Sequence, residues 1–441
     1  MANYEETVIG VPKEVDYFKL PPCQQGFSRG HIVQHNLNDE INDEGPYEIL
    51  IPGCTEFVDL ANTNLYVKMK MVDSTTGADF PTSVAISCIN NMMNSLFSQI
   101  DVELNGTMVS SHTLHHHYRS YLRTLLENSI TVKYTRLESA GWIEDTPEAF
   151  DDVKVLTGDN YGLYKRFDSF LKGSREVVLY GKINIDLTTC QRYIPPGVDI
   201  LLRFWRTSDI LFFLFESYVV PERAKVKMLG MHLDVKKLNP SPDFISGLEY
   251  GISTKPALFP YERSRIIMYN LKVGSTSAKE DLVFQHEIPD IFVCGLVHTG
   301  SVKGSLPLNP YNFRTIGLSQ ITFFVNDIPV PARRYKTEVG GKRDHYSPEL
   351  YMNLFTSFGS GTAKNGINLR GFAAGNGLYM INVRAAIDSE MLQVKRRGNF
   401  KIELDLDTPL PEDNTLICMG IFEDVFAIDA HKNVIKQLTS S

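Results

Sequence analysis

Tryptophan is nearly absent from this sequence: Trp142 and Trp205 are the only two in 441 residues. A carbohydrate platform of stacked indoles therefore has little to draw on. Cysteine is sparse, and the six residues Cys23, Cys54, Cys88, Cys190, Cys294 and Cys418 are scattered. No two stand at metal-ligand or redox-motif spacing, so they read as reduced thiols of a chain made in the cytosol. Positive charge is not in excess: Lys and Arg number 44 against 52 acids, a net −8. A nucleic-acid coat would more often be basic. No apolar run approaches the roughly 20 residues of a membrane span. The strongest cluster, Ile210 to Phe215, lies between Asp209 and Glu216. The acidic start, Met1 to Glu6, lacks the apolar core of a secretory signal.

Aromatic residues are plentiful at 11%, which favours strands over a helix bundle. Alternation at period two recurs. Leu65, Val67, Met69 and Met71 alternate with Tyr66, Lys68 and Lys70. The same pattern runs through Ile100–Leu104, Ile183–Leu187 and Phe400–Leu406. Each predicts an antiparallel strand with one face in a core and one in water. Two segments have helical spacing instead. Leu114, Tyr118, Tyr121, Leu122 and Leu125 predict an amphipathic helix over 112–127. Ser347 and Pro348 open a second helix, Tyr351, Leu354, Phe355 and Phe358 line it, and Gly359 stops it.

These elements come twice. Ser98–Gly106 has a counterpart about half a chain later in Ser319–Asp327, and each copy is followed by a helix, a polar loop and further strands. Gly197–Leu202 answers to Gly398–Glu403, and Val226–Leu238 to Ile417–Asp429. The expected fold is all-β: two tandem jelly-roll β-sandwiches, each with a short inserted helix. An immunoglobulin-like pair fits less well, because each copy is too long and the Cys-Trp-Cys pattern is missing. The expected boundaries are an N-terminal arm 1–45, a first jelly roll 46–240, a proline-rich linker 241–262, a second jelly roll 263–432 and a tail 433–441. The long segment from Asn128 to Gly173 reads as loops capping one end, with a shorter glycine-rich counterpart at 360–377.

The search for chemistry yields no catalytic, cofactor-binding or metal residue. His112, His115, His116 and His117 cluster at a helix start without a completing Cys or Glu; metal binding and pH sensing both stay open there. Gly359–Lys364 lacks the Gly-Lys-Ser/Thr ending of a phosphate loop, and Gly371–Gly377 reads as a turn. Asp151/Asp152 and Asp405/Asp407 read as solvated pairs. Arg333–Lys336 and Lys395–Arg397 are charged loops or contacts to an acidic partner. Asn105-Gly106-Thr107 matches a glycosylation sequon but reads as a hairpin turn.

Ile89–Gly106 with Tyr118–Leu126, Phe284–Pro289 through Asn309–Phe313, and Ile321–Tyr335 together resemble the double jelly-roll major capsid (hexon-like) proteins of Maverick/Polinton elements and adintoviruses. The resemblance runs from about Glu48 to Asp429. It implies two upright jelly rolls and a homotrimer that approximates a hexagon. Such capsomers would tile an icosahedral shell around double-stranded DNA. It further implies neighbouring capsomers and a penton or minor capsid protein as partners, and no sequence-specific nucleic-acid contact. The chain would be a non-enzymatic virion component made in the host cytoplasm, with assembly there or in the nucleus. Two other classes stay open: a paired jelly-roll glycan-processing enzyme similar to peptide-N-glycanases, and a minor capsid or receptor-binding protein.

Overall fold

A computed structural model describes residues 17, 20, 23–110, 114–216, 223–336, 338–340, 344–356, 365–384, 392 and 396–436. The first half contributes β1 (Phe27–Asn36), β2 (Tyr47–Ile51), β3 (Phe57–Asp73), β4 (Phe97–Leu104), β5 (Thr107–Met108), β6 (Val177–Lys182), β7 (Ile200–Arg206) and β8 (Ala224–Pro240). The second contributes β9 (Ala257–Leu271), β10 (Ser277–Glu280), β11 (Ile291–His298), β12 (Leu318–Val325), β13 (Ile328–Pro329), β14 (Leu378–Asn382), β15 (Phe400–Leu406) and β16 (Asn414–Ile428).

The hydrogen-bonded order in the first half is β1-β8-β3-β6 in one sheet and β2-β7-β4-β5 in the other. In the second half it is β9-β16-β11-β14 and β10-β15-β12-β13. Strand for strand, the two orders are identical. Two four-strand paths facing one another in each half make a pair of jelly rolls. Period-two burial fills each core: Leu65, Val67 and Met69 of β3, Ile200, Leu202 and Phe204 of β7, and Phe400, Ile402 and Leu404 of β15 are all buried. Phe292 of β11 meets Phe323 of β12 edge-on at 5.6 Å and Phe400 of β15 at 4.7 Å, so these rings tie the second pair of sheets together.

The repeated hairpins match in backbone detail. Asn105 and Gly106 have φ of 46° and 73°, and Asn326 and Asp327 have 50° and 62°. Two consecutive left-handed residues between paired strands suit the strand twist. Each turn Asn is tied to the strand beside it. Asn105 Oδ1 accepts from the Asp199 amide at 2.7 Å, and Asn326 Oδ1 accepts from the Asn399 amide at 2.9 Å. Leu104 pairs with Ile200 and Val325 with Phe400. The true counterpart of Asp199 is therefore Asn399, one residue away from the register expected from the two glycines.

Several boundaries differ from the sequence reading. The expected arm 1–45 contains β1, which pairs along β8; its residues 1–16, 18–19 and 21–22 lie outside the described set. The expected linker 241–262 is a helix, Pro242–Thr254, followed directly by β9. Ser241 precedes it with Pro at the first turn, so the prolines that suggested a break start a helix instead. In the expected tail, Val434–Lys436 pairs with β16. The alternating run Ile183–Leu187 is not a strand. β6 ends at Lys182 and Asp186–Thr189 is a 3₁₀ turn, although Ile183, Ile185 and Leu187 are all buried.

Candidate functional site: the joint between the jelly rolls

The first inserted helix, α1 (His116–Glu127), begins later than expected; 111–113, with His112, lie outside the described residues, and Leu114 is exposed. The apolar stripe behaves as its spacing predicts, with Tyr118, Tyr121, Leu122 and Leu125 buried. The polar side does not face water: His116, His117, Arg119, Ser120, Arg123 and Thr124 are buried too. The second half covers this helix. Tyr121 stacks on Tyr311 at 3.9 Å and 4°, with Trp142 on its other side at 5.4 Å. The Tyr311 hydroxyl lies 2.7 Å from that of Ser95.

A layer of ion pairs seals the rest of the helix. Arg119 donates to Asp186 at 3.0 Å, and the same Asp186 oxygen accepts the Ser264 amide at 3.1 Å. Arg123 reaches Glu262 at 2.6 Å and Ser264 Oγ at 3.0 Å. Arg384 adds a second cation to Glu262 at 3.1 Å. Burial would lower the Arg123 guanidinium, but Glu127 and Glu262 outweigh it and hold it above its ordinary value. Burial would raise Glu262, but Arg123 and Arg384 outweigh it and hold that carboxyl low. These groups stay charged, and their partners are fixed in place.

The long 128–173 segment belongs to the same joint rather than to a free cap. Arg166 and Asp145 form a pair at 2.6 Å with both side chains fully buried. The other Asp145 oxygen accepts from Asn309 at 3.2 Å. Asp151, expected to be solvated, accepts from the Asn309 amide, from Asn312 and from Arg314 at 2.6–2.8 Å. Lys133 donates to the Asn365 carbonyl at 2.6 Å. The Phe150 ring lies against Gly375, where an added Cβ would meet it at 2.2 Å. That contact, with φ of +120°, is why the Gly371–Gly377 stretch needs glycine at this place. Gly359–Lys364 lies outside the described residues.

The remaining candidates are accounted for by neighbours. Burial first, then Arg119 and His117, push His116 well below the usual histidine range, and burial and His115 push His117 down to about 3. Among the described residues no group of three or more His, Cys, Asp or Glu is arranged to hold a metal ion. Arg333 pairs with Glu349 at 2.8 Å, and Arg396 lies 3.7 Å from Asp290; Lys395 is outside the described residues. Asp405 accepts from Gln320 at 2.9 Å. A cavity of about 450 Å³ lies beside Phe150, Arg314 and Glu412. Of its two acids, Glu412 pairs with Arg314 and with His298, and Glu148 pairs with Arg370. Trp142 is in the core, not on a sugar-binding surface. No described helix is long and apolar enough to cross a membrane.

No protein-family model matches the sequence. The uncharacterized protein F54H12.2 of Caenorhabditis elegans is 20% identical over 433 residues, covering 94% of this chain and 99% of that one. Among solved structures, a chain of the Sputnik virophage superposes with a TM-score of 0.62 at 10% identity, covering 98% of this chain and 94% of its own. A chain of the PBCV-1 virus capsid gives 0.60 at 10% identity, over 96% and 100%. The mavirus major capsid protein gives 0.51 at 12% identity, over 99% and 96%. The fold is the double jelly roll. At these identities the likeness establishes the architecture, which extends over 94–100% of each chain.

Proposed function

We propose that this chain is a structural, non-enzymatic capsid protein that assembles as a homotrimer of pseudo-hexagonal outline. One observation carries the reading: two jelly rolls of identical strand order are locked side by side by a buried joint. Three copies of such a rigid pair place six similar sandwiches around one axis, which is the geometry a hexagonal tile requires. The fold shared with viral capsid chains over nearly the full length supports the same reading.

Tiles of this kind close into an icosahedral shell only with five-fold positions, so a separate penton or minor capsid protein is part of the proposal. The shell would enclose double-stranded DNA without reading its sequence, and the chain would reside in the virion. The origin that goes with this reading is an element or virus of the Maverick/Polinton or adintovirus type. Light scattering coupled to size exclusion tests the assembly. A stable species at three times the 49.8 kDa chain mass, or larger particles, is expected. A monomer at all concentrations, together with release of glycan from a glycopeptide, would replace this reading with the enzymatic one.

A further inference from the structure

Cys54 and Lys237 form a thiol–amine pair in the first jelly roll that plays no part in the joint. Cys54 lies in the connection between β2 and β3, and Lys237 lies in β8, flanked by His31 of β1 and Val58 of β3. Lys237 is only 5% exposed. A lysine buried to this degree ordinarily has a carboxylate partner. Here Nζ donates to Cys54 Sγ at 3.6 Å, and among the described residues no other hydrogen bond or ion pair is made by that nitrogen. Cys54 is partly exposed, Cys23 is exposed, and Cys88, Cys190, Cys294 and Cys418 are buried.

We propose that Cys54 and Lys237 are a redox modification site, joined by a reversible sulfur–nitrogen bond when the protein meets a peroxide. In the first step the Cys54 thiol takes one oxygen from hydrogen peroxide, giving a sulfenic acid and water. In the second, the Lys237 nitrogen, as the free amine, attacks that sulfur. An S–N bond forms, the S–O bond breaks, and the hydroxyl leaves as water with a proton from the amine. The sulfur is oxidised by two electrons and the peroxide is reduced to two waters. Two equivalents of a thiol reverse the bond, restoring thiol and amine and leaving a disulfide. The amine already lies close to the distance of a reacting pair, so ring closure competes with further oxidation of the sulfur. The bond would tie the β2–β3 connection to β8 and enclose most of the first jelly roll in a covalent loop, stabilising it mainly through the unfolded chain. This inference does not depend on the capsid reading.

The test is graded peroxide treatment of the native full chain carrying Cys23→Ser, which removes the one other exposed thiol. Intact mass and tryptic mapping are the readouts. The expected product is lighter by two hydrogens, resists trypsin after Lys237, joins the Cys54 and Lys237 peptides, and reverts with dithiothreitol. Adding Cys54→Ser abolishes it. In Lys237→Met, Cys54 proceeds to the sulfinic acid. Uptake of two oxygens at Cys54 with normal cleavage after Lys237, or an unmodified Cys54, in the protein that retains Lys237 would overturn the proposal. That result is read without any Lys237 variant, so a folding failure of Lys237→Met does not obscure it.

Discussion

The two inserted helices occupy matching places in the repeat and have opposite fates. In α1, eleven of twelve residues, every one except Glu127, are buried. In α2 (Pro348–Thr356), Leu350 and Leu354 are buried while Met352 is 54% exposed. The difference lies in what covers them. α1 is clasped by Tyr311, Glu262 and Ser264 of the other jelly roll, whereas the ion pair of α2, Arg333 with Glu349, sits at the surface. A duplicated domain thus keeps its strand order and gives one copy of the insert the task of holding the pair together.

Breaking one ion pair of each helix should break this comparison most visibly. Arg123→Ala takes from Glu262 and Glu127 a buried cation that both pair with and should cost ~3–5 kcal/mol. Arg333→Ala removes a surface pair and should change stability by less than about 1 kcal/mol. Urea unfolding of the two variants checks the contrast; equal losses would mean that the joint is not where stability resides. Leu122→Ala should cost ~2–5 kcal/mol through a buried cavity, and Met352→Ala less than about 1 kcal/mol.

Acid sharpens the same point. His116 and His117 are held below the ordinary histidine value by burial, His117 at about 3. Above pH ~6.5 both folded and unfolded histidines are neutral and stability is full. As pH falls below that value the unfolded chain takes up protons that the folded one refuses. Stability is lost progressively toward the folded value, by on the order of a few kcal/mol. In His116→Gln/His117→Phe the melting temperature should fall less between pH 7 and pH 5 than in the parent chain. An unchanged slope would place the acid sensitivity elsewhere.

The smallest effect should come from the hairpins. Gly106→Asp gives the first turn the residue of the second and should cost ~1 kcal/mol, because φ of 73° suits glycine. No atom lies within 4 Å of the added Cβ, so the cost is one of backbone conformation alone. Asp327→Gly should stabilise the second turn by a few tenths of a kcal/mol. A double exchange that came out strongly destabilising would show that the turns are not equivalent.

Much of the repeat was legible because a strand with one wet face writes its burial into alternate residues, and Asn-Gly announces a tight turn. Where both faces are covered, the pattern misleads. The polar side of α1 reads as solvated, yet Arg119 and Arg123 are paired across to Asp186 and Glu262. Asp151 reads as a surface acid, yet it anchors Asn309, Asn312 and Arg314. Partners so distant in sequence leave no local signal. Aligning Gly197 with Gly398 puts Asp199 one residue off Asn399, because the buried positions and not the glycines set the register.

Two equivalent jelly rolls held together by a buried joint are proposed to make a trimer with six similar lobes. Electron-microscopic class averages of the purified chain at neutral pH test it directly. Three-fold particles with six lobes around a common axis are the predicted result. Particles holding a single pair of lobes, or closed rings of another symmetry, would contradict it.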